Sequence, residues 1–393
     1  RGHERVCKML VAHGADAFLP NAEGECARDI AAMHGHEDAR AAMAPSDADS
    51  ALDAARDEAC ARDDLLLLRE AFESQEKLLD RLKQMEAGTA ELAQTASNGM
   101  TLLMVAASRG SVDVAAQLLR LKADLHAQMT ESPKWGALHF AAESGHFELV
   151  SALLTAAVDG QQKLIDMRGE HGESALMQAS AKSSGVIVKK LLDAKADANL
   201  KRTDVGTTAL IAAAAIGDSE IVSALLESEG IDACAKDAIG MSALAVAAKF
   251  GRVDAVAKIG EHIKESFPSE LDSRSVDGGT PLILASNYGR ADTAHKLMRL
   301  GADVWARDRA GNTAAMLAAM RGHQLLLAQL LESHDETNEK LGDKNKQGYN
   351  ALMLACMHGK CATAEMLARE MSDPLVCLGG TRGDTSALML AAL

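Results

Sequence analysis

One twelve-residue pattern recurs along this chain at a near-constant interval, and that recurrence constrains the fold more than any other feature. It reads GMTLLMVAASRG from Gly99, GTTALIAAAAIG from Gly206, GMSALAVAAKFG from Gly240, GGTPLILASNYG from Gly278, GNTAAMLAAMRG from Gly311 and GYNALMLACMHG from Gly348. Weaker copies are KWGALHFAAESG from Lys134, GESALMQASAKS from Gly172 and GECARDIAAMHG from Gly24. From Gly99 onward the first positions lie 35, 38, 34, 34, 38, 33 and 37 residues apart. Self-similarity at such a period marks units that bury their apolar faces only against each other. The 393 residues therefore need not divide into separate globular domains, because a stacked array grows without a new core for each addition.

Each position of the pattern has a physical use. Thr or Ser at the third position can accept a hydrogen bond from the unpaired N–H groups that open a helix. Pro281 falls in a first helical turn, where its missing donor costs nothing. The small pairs Ala106-Ala107, Ala141-Ala142, Ala247-Ala248 and Ala318-Ala319 let neighbouring units approach closely. A second apolar pattern follows each motif at spacings of three and four, as in Val150, Leu153, Leu154, in Val188, Leu191, Leu192 and in Val222, Leu225, Leu226, which places each set on one helical face. Several copies then close on Ala-Asp or Gly-Ala-Asp, at Gly14, Ala123, Ala196 and Gly301; Gly just past a helix supplies the left-handed residue that stops it.

These residues resemble the ankyrin repeat, whose pattern runs G-x-T-P-L-H-x-A-A-x-x-G-H, then a second helix, then G-A-D. The resemblance covers nearly the whole chain apart from residues 44–97, and nine copies in register make it specific. It implies an all-α ankyrin-repeat solenoid, with two antiparallel helices and a β-turn finger per repeat, arranged here as two arrays separated by a helical insert. In that family His36, His146 and His323 occupy the Gly-His position and His139 the Leu-His position, where they are expected to bond backbone around the turn rather than a metal.

Along the chain, residues 1–43 read as the C-terminal end of a first array, its opening sixteen residues being a second helix whose first half is absent. Residues 44–97 break the period, since Gly24 and Gly99 are 75 apart. A linker-like stretch from Pro45 to Ser50 precedes a helical segment over 53–87, where Leu65, Leu68, Phe72, Leu79 and Leu82 alternate by three and four. That segment reads either as a short coiled coil or as a degenerate capping repeat, with 88–97 as its finger. Residues 98–393 form the second array, of at least eight repeats, and Asp384 to Ala392 reads as a first helix without its second. The expectation is a piece of a longer chain.

Composition narrows the function classes. Aromatics are only 3% of residues beside 48% apolar, so the interior is built of Ala and Leu, which suits closely packed helices and suits a sheet badly. The formal net charge of −15, without a basic run, argues against nucleic acid as a partner. Seven Cys without a C-x-x-C pair, and no N-x-[ST] sequon, suggest an intracellular and cytoplasmic setting. No uninterrupted apolar run approaches the ~18 residues of a membrane span, and nothing sets an oligomeric state. Neither a phosphate-binding loop, a metalloprotease H-E-x-x-H, a G-x-S-x-G elbow nor a kinase signature is present, so no catalytic residue, cofactor or metal is expected. Cys356 and Cys361 read as small buried thiols, and Arg382-Gly383-Asp384 as a chance tripeptide.

The resemblance implies a non-catalytic scaffold or adaptor that binds partner proteins on the concave face and finger tips, or alternatively the regulatory or targeting arm of a larger enzyme such as a kinase. Ankyrin partners usually meet the two positions before the motif Gly, the one after it, and the two before the second Gly. In this sequence those positions include Trp135, Ile239, Met241, Lys249, Phe250, Asn287, Tyr288, Arg309, Met320, Arg321, Tyr349, Met357 and His358. Large apolar and aromatic side chains dominate binding energy, which centres the expected groove on Ile239, Met241, Phe250 and Tyr288.

Overall fold

The computed structural model describes residues 47–62, 66–86, 92, 94–157, 161–332 and 341–370. The expected first array over 1–43, Leu65, and the closing motif at Asp384–Ala392 lie outside the described residues. The chain divides into two compact units, Arg1–Asp197 and Ala198–Leu393. No sheet is present among the described residues; three isolated antiparallel bridges, Thr95 with Thr101, Gln128 with Gly136 and Lys236 with Ser242, mark the bases of fingers.

In the second unit the motif helices Ala209–Ile216, Ala243–Phe250, Pro281–Asn287, Ala314–Arg321 and Ala351–Met357 pack one against the next. Their partners Ser219–Leu226, Val253–Ser266, Ala291–Leu300 and Gln324–Glu332 pack in a parallel row behind them. The first unit repeats the arrangement with Leu102–Arg109, Ala137–Glu143 and Ala175–Ala181 in front. The small pairs are sealed in the seam: both members of Ala141-Ala142, Ala247-Ala248 and Ala318-Ala319 are fully buried. In the second helices the core stripe is Ile187, Val188 and Leu191, and likewise Ile221, Val222 and Leu225. Leu192 and Leu226, expected in that stripe, are only half-buried.

The caps form as the pattern predicts. Thr101, Ser174, Thr208, Ser242, Thr280 and Thr313 each accept from the amide three residues on, at 3.2–3.4 Å, and Asn350 does so at 2.8 Å. Gly136 has no side chain to offer, and there the ring of His139 takes over, its Nδ1 accepting from the Gly136 amide at 3.3 Å. Where the motif departs from Gly, the backbone does not. Lys134 and Ser183, in the first and twelfth positions of weak copies, hold φ of 56° and 55°, and Lys122 and Lys195, just before Ala-Asp, hold 61° and 68°. A left-handed L-residue costs about 1–2 kcal/mol, partly offset by the greater chain entropy that a glycine would lose on folding. Lys122 and Lys195 are exposed, so Lys122→Gly and Lys195→Gly are each expected to stabilise the first unit by about 1 kcal/mol. Urea unfolding followed at Trp135 measures this as a raised midpoint at unchanged slope.

Ahead of the Gly99 motif the helical segment is broken, not continuous. Helices Leu66–Glu73 and Gln75–Gln84 are separated by Ser74 in an extended conformation, at φ −154°. Leu67, Leu68, Ala71, Leu78 and Leu82 are buried, whereas Phe72 and Leu79 are half-buried. An uninterrupted heptad seam is therefore absent. Leu66–Glu73 packs on Leu102–Arg109 and Gln75–Gln84 on Val112–Arg120, the register in which successive repeats pair. Arg109 closes the joint, donating to the carbonyl of Phe72 at 2.8 Å with its guanidinium over the Phe72 ring.

Candidate functional site

The fingers present the site, and one rule builds them. The second motif position turns its carbonyl back to accept from an earlier finger amide, as Met241 O does from Asp237 N and Tyr349 O from Asn345 N. Met100, Trp135 and Met241 lie buried beneath their fingers, whereas Tyr349, closed in the same way, is half-buried. For Trp135 and Met241, 6% and 5% exposed, this corrects the expectation that the residue after the motif Gly stands at the surface. Trp135 stacks on His139 at 6.1 Å and meets Phe140 edge-on at 5.6 Å, so it is core in the first unit rather than a partner anchor.

Finger tips are tied in series by backbone. Val276 N donates to Ile239 O at 2.9 Å, Arg309 N to Asp277 O at 3.0 Å and Lys346 N to Ala310 O at 3.0 Å. Within the second unit's fingers the Asp237 carboxylate accepts from the amides of Ile239 and Met241 at 3.0 and 2.8 Å. This local turn is of the kind that short acidic side chains favour, and it holds the Ile239 side chain outward, 57% exposed.

Between these tips and the motif helices lies a pocket of about 340 Å³, lined by Ile239, Met241, Lys249, Val276, Asp277, Ile283, Leu284, Asn287, Tyr288, Asp308 and Leu317 among others. It brings together five of the residues singled out from sequence: Ile239, Met241, Lys249, Asn287 and Tyr288. Met241 contributes its buried side chain to the lining, while Tyr288, 44% exposed, stands at the surface. Phe250 is adjacent: the Lys249 ammonium lies 5.5 Å from the Phe250 ring and 5.5 Å from the Tyr288 ring, a cation held between two aromatic faces of successive repeats.

The remaining expected residues continue the same face. Arg321 is exposed and its Nε donates to Asn287 at 3.2 Å. Met320 packs on the buried cluster of Ile283, Ala306 and Leu317. Arg309 is exposed at the next finger tip. Tyr349 is half-buried, and Met357 and His358, at the end of the following motif helix, are exposed but do not line the pocket. Val276, which the sequence reading passed over, is 47% exposed beside Ile239; its place two before Gly278 was the available signal.

His139 and His146 bond backbone, whereas His36 lies outside the described residues. His146 Nε2 bonds Ser108 O at 3.1 Å, across to the preceding repeat rather than around its own turn. His139 Nε2 meets Glu173 O at 3.1 Å, and burial of its ring pushes its pKa down to about 4. Among the described residues no three His, Cys, Asp or Glu side chains gather as metal ligands, and no helix is long and apolar enough to cross a membrane. Cys356 is half-buried, and burial raises its thiol pKa; Cys361 is exposed, contrary to the expectation of a buried thiol.

Comparison with known proteins agrees with this geometry. The family model for ankyrin repeats (three copies) matches residues 67–166, 103–202, 176–267 and 282–376. The chain is 30% identical over 111 residues to the ankyrin repeat and KH domain-containing protein mask-1 of Caenorhabditis elegans, covering 28% of this chain and 4% of that one. It is 35% identical over 96 residues to human ankyrin repeat domain-containing protein 63, covering 24% and 25%. It is also 35% identical over 102 residues to the probable E3 ubiquitin-protein ligase XBOS32 of rice (Oryza sativa subsp. japonica), covering 26% and 19%. The chain thus spans a quarter or less of the length of these relatives. Among solved structures, the human ASB11 ankyrin repeat domain matches with a TM-score of 0.51 and 25% identity, over 60% of this chain and 98% of that one.

Proposed function

Because the chain belongs to the ankyrin-repeat family, we propose that it serves as a non-catalytic scaffold or adaptor. It binds partner proteins on the finger tips and motif helices of the second unit. Ankyrin repeats are in general protein–protein interaction modules. The observation that carries the reading here is the pocket between Ile239 and Tyr288, 57% and 44% exposed. Large apolar side chains left in water beside a pocket are seldom idle, and covering the exposed half of each is worth roughly 1 kcal/mol. The acidic charge supports protein rather than nucleic acid as the partner, and the cysteine usage supports an intracellular, cytoplasmic setting.

On this reading, residues 98–393 form one ankyrin array that the helices within 66–84 open as a degenerate capping repeat, and 1–43 belong to an earlier array. The match of the family model from residue 67 supports the cap.

An affinity capture from the source cell, with the wild-type chain and a Phe250→Ala/Tyr288→Ala variant as paired baits, tests the proposal. A protein retained by the first bait and lost from the second is expected. Equal retention by both would place binding elsewhere. The likeness to the rice ligase, of which only 19% is covered, favours a second reading: the stack is the targeting arm of a larger enzyme. A transcript-derived full-length sequence with a catalytic domain would support that reading, and one without would remove it.

A further inference from the structure

Read linearly, the chain has no basic run, yet the fold assembles a row of cations. The tenth to thirteenth motif positions of four successive repeats are Lys249-Phe250-Gly251-Arg252, Asn287-Tyr288-Gly289-Arg290, Met320-Arg321-Gly322-His323 and Met357-His358-Gly359-Lys360. They contain five Lys or Arg (Lys249, Arg252, Arg290, Arg321, Lys360) and no carboxylate, in a chain of net charge −15. Residues some forty apart in sequence become neighbours: Arg290 Nε donates to the Lys249 carbonyl at 3.3 Å.

Cations at helix C-termini offset the helix dipole, but that alone does not exclude acids from these positions. Glu143 occupies the tenth position in the first unit, paired with Lys182 at 2.9 Å, and Asp218 occupies the thirteenth in the Gly206 repeat. Lys249, by contrast, makes no ion pair among the described residues; its ammonium rests between two rings. Across the pocket stand Asp277 and Asp308, and the Asp308 carboxylate is taken up by Asn312 at 2.7 and 3.0 Å. The pocket therefore has a single cation, Lys249, on its helix side and Asp277 and Asp308 on its finger side, with Ile239 and Val276 exposed beside them. The other cations of the row lie outside the pocket, along the ends of the following motif helices. The pocket volume of about 340 Å³ suits an inserted side chain, being at the small end of the ~300–1,000 Å³ of ligand pockets.

We propose that this surface binds an acidic peptide segment carrying an apolar anchor. The anchor enters the pocket between Ile239 and Tyr288, and flanking Asp or Glu carboxylates meet the row that begins at Lys249 and continues through Arg290 and Arg321. Asp277 and Asp308 keep anions out of the pocket itself, so the apolar anchor occupies it and the carboxylates lie along the row outside it. The proposal rests on the reading that this groove binds protein, and names the chemistry it selects.

The test is panning of a phage-displayed random dodecapeptide library on the intact chain, followed by affinity measurement of selected synthetic peptides by fluorescence anisotropy. Selected sequences are expected to carry an apolar residue flanked by Asp or Glu. Their binding is expected to weaken at least about tenfold in Lys249→Glu/Arg321→Glu, less in Lys249→Gln/Arg321→Gln, and also as NaCl is raised. The Gln variant decides the matter if the Glu variant does not fold. Basic or neutral peptides that are lost on Phe250→Ala/Tyr288→Ala would overturn the acidic class and leave the groove standing. Enrichment of nothing, or of peptides indifferent to every variant, would sink both. Displacement of the selected peptides by oligo(dT) would make the row a phosphate site and overturn the proposal.

Discussion

Gly278→Ala is expected to destabilise the second unit by about 3 kcal/mol, roughly three times the effect of Gly230→Ala. The two glycines hold almost the same left-handed backbone, at φ 78° and 75°, so the conformational penalty of about 1–2 kcal/mol is common to both. Their surroundings differ. A Cβ on Gly278 would lie 2.7 Å from the Arg309 amide nitrogen, whereas one on Gly230 meets nothing within 4 Å. The clash is with backbone, and the Arg309 amide is itself bonded to Asp277 O at 3.0 Å, so relief means moving a finger. Overpacking of that kind adds about 1–3 kcal/mol. Urea unfolding of the two variants measures the difference; equal losses would show that motif glycines serve backbone conformation alone and that fingers yield freely.

The second large effect is a pH dependence centred on His139. The ring is fully buried, and its Nδ1 accepts from Gly136 N–H, so the neutral ring carries its proton on Nε2 and donates to Glu173 O. Burial holds the folded pKa at about 4 against 6.5 for an unperturbed ring, more than offsetting the backbone bonds that would raise it. Below pH 6.5 the unfolded chain takes up a proton that the folded chain refuses, so this contribution is fully present above 6.5. It is lost progressively as pH falls towards 4, by up to about 3 kcal/mol. Trp135 stacks on this ring and reports it directly once Trp305→Phe removes the other tryptophan. The urea midpoint read at Trp135 should fall between pH 6.5 and 4, and His139→Gln should flatten that fall. An unchanged pH slope in His139→Gln would assign the effect to carboxylates.

The repeat was legible because it is local. Capping hydroxyls, the alanine seam and the second-helix stripe lie within 17 residues of each other, as from Thr313 to Leu330, and follow helical spacing. What the sequence hid depends on finger closure or on the interval between repeats. Trp135 and Met241 looked like surface anchors because nothing in their neighbourhood shows that these two side chains are buried beneath the finger, while Tyr349 at the same motif position is only half-buried. The helix break at Ser74 was missed because Leu68, Phe72, Leu79 and Leu82 mimic an unbroken heptad, while the buried residues are Leu67, Leu68, Leu78 and Leu82. The row beginning at Lys249, Arg290 and Arg321 escaped because its members are separated by about a whole repeat. Lys122 and Lys195 carry a left-handed backbone that their residue type disfavours, so only the register with Gly301 could have signalled it.

The claim that matters most is that the finger and motif-helix face of the second unit binds protein. A photo-crosslinking amino acid placed at Ile239, and separately at Leu325 on a second helix, tests it in the source cell; the two positions are 57% and 68% exposed, so access is comparable. A discrete protein adduct from Ile239 and none from Leu325 is the predicted result. An adduct from Leu325 alone, or from neither position, would contradict the account.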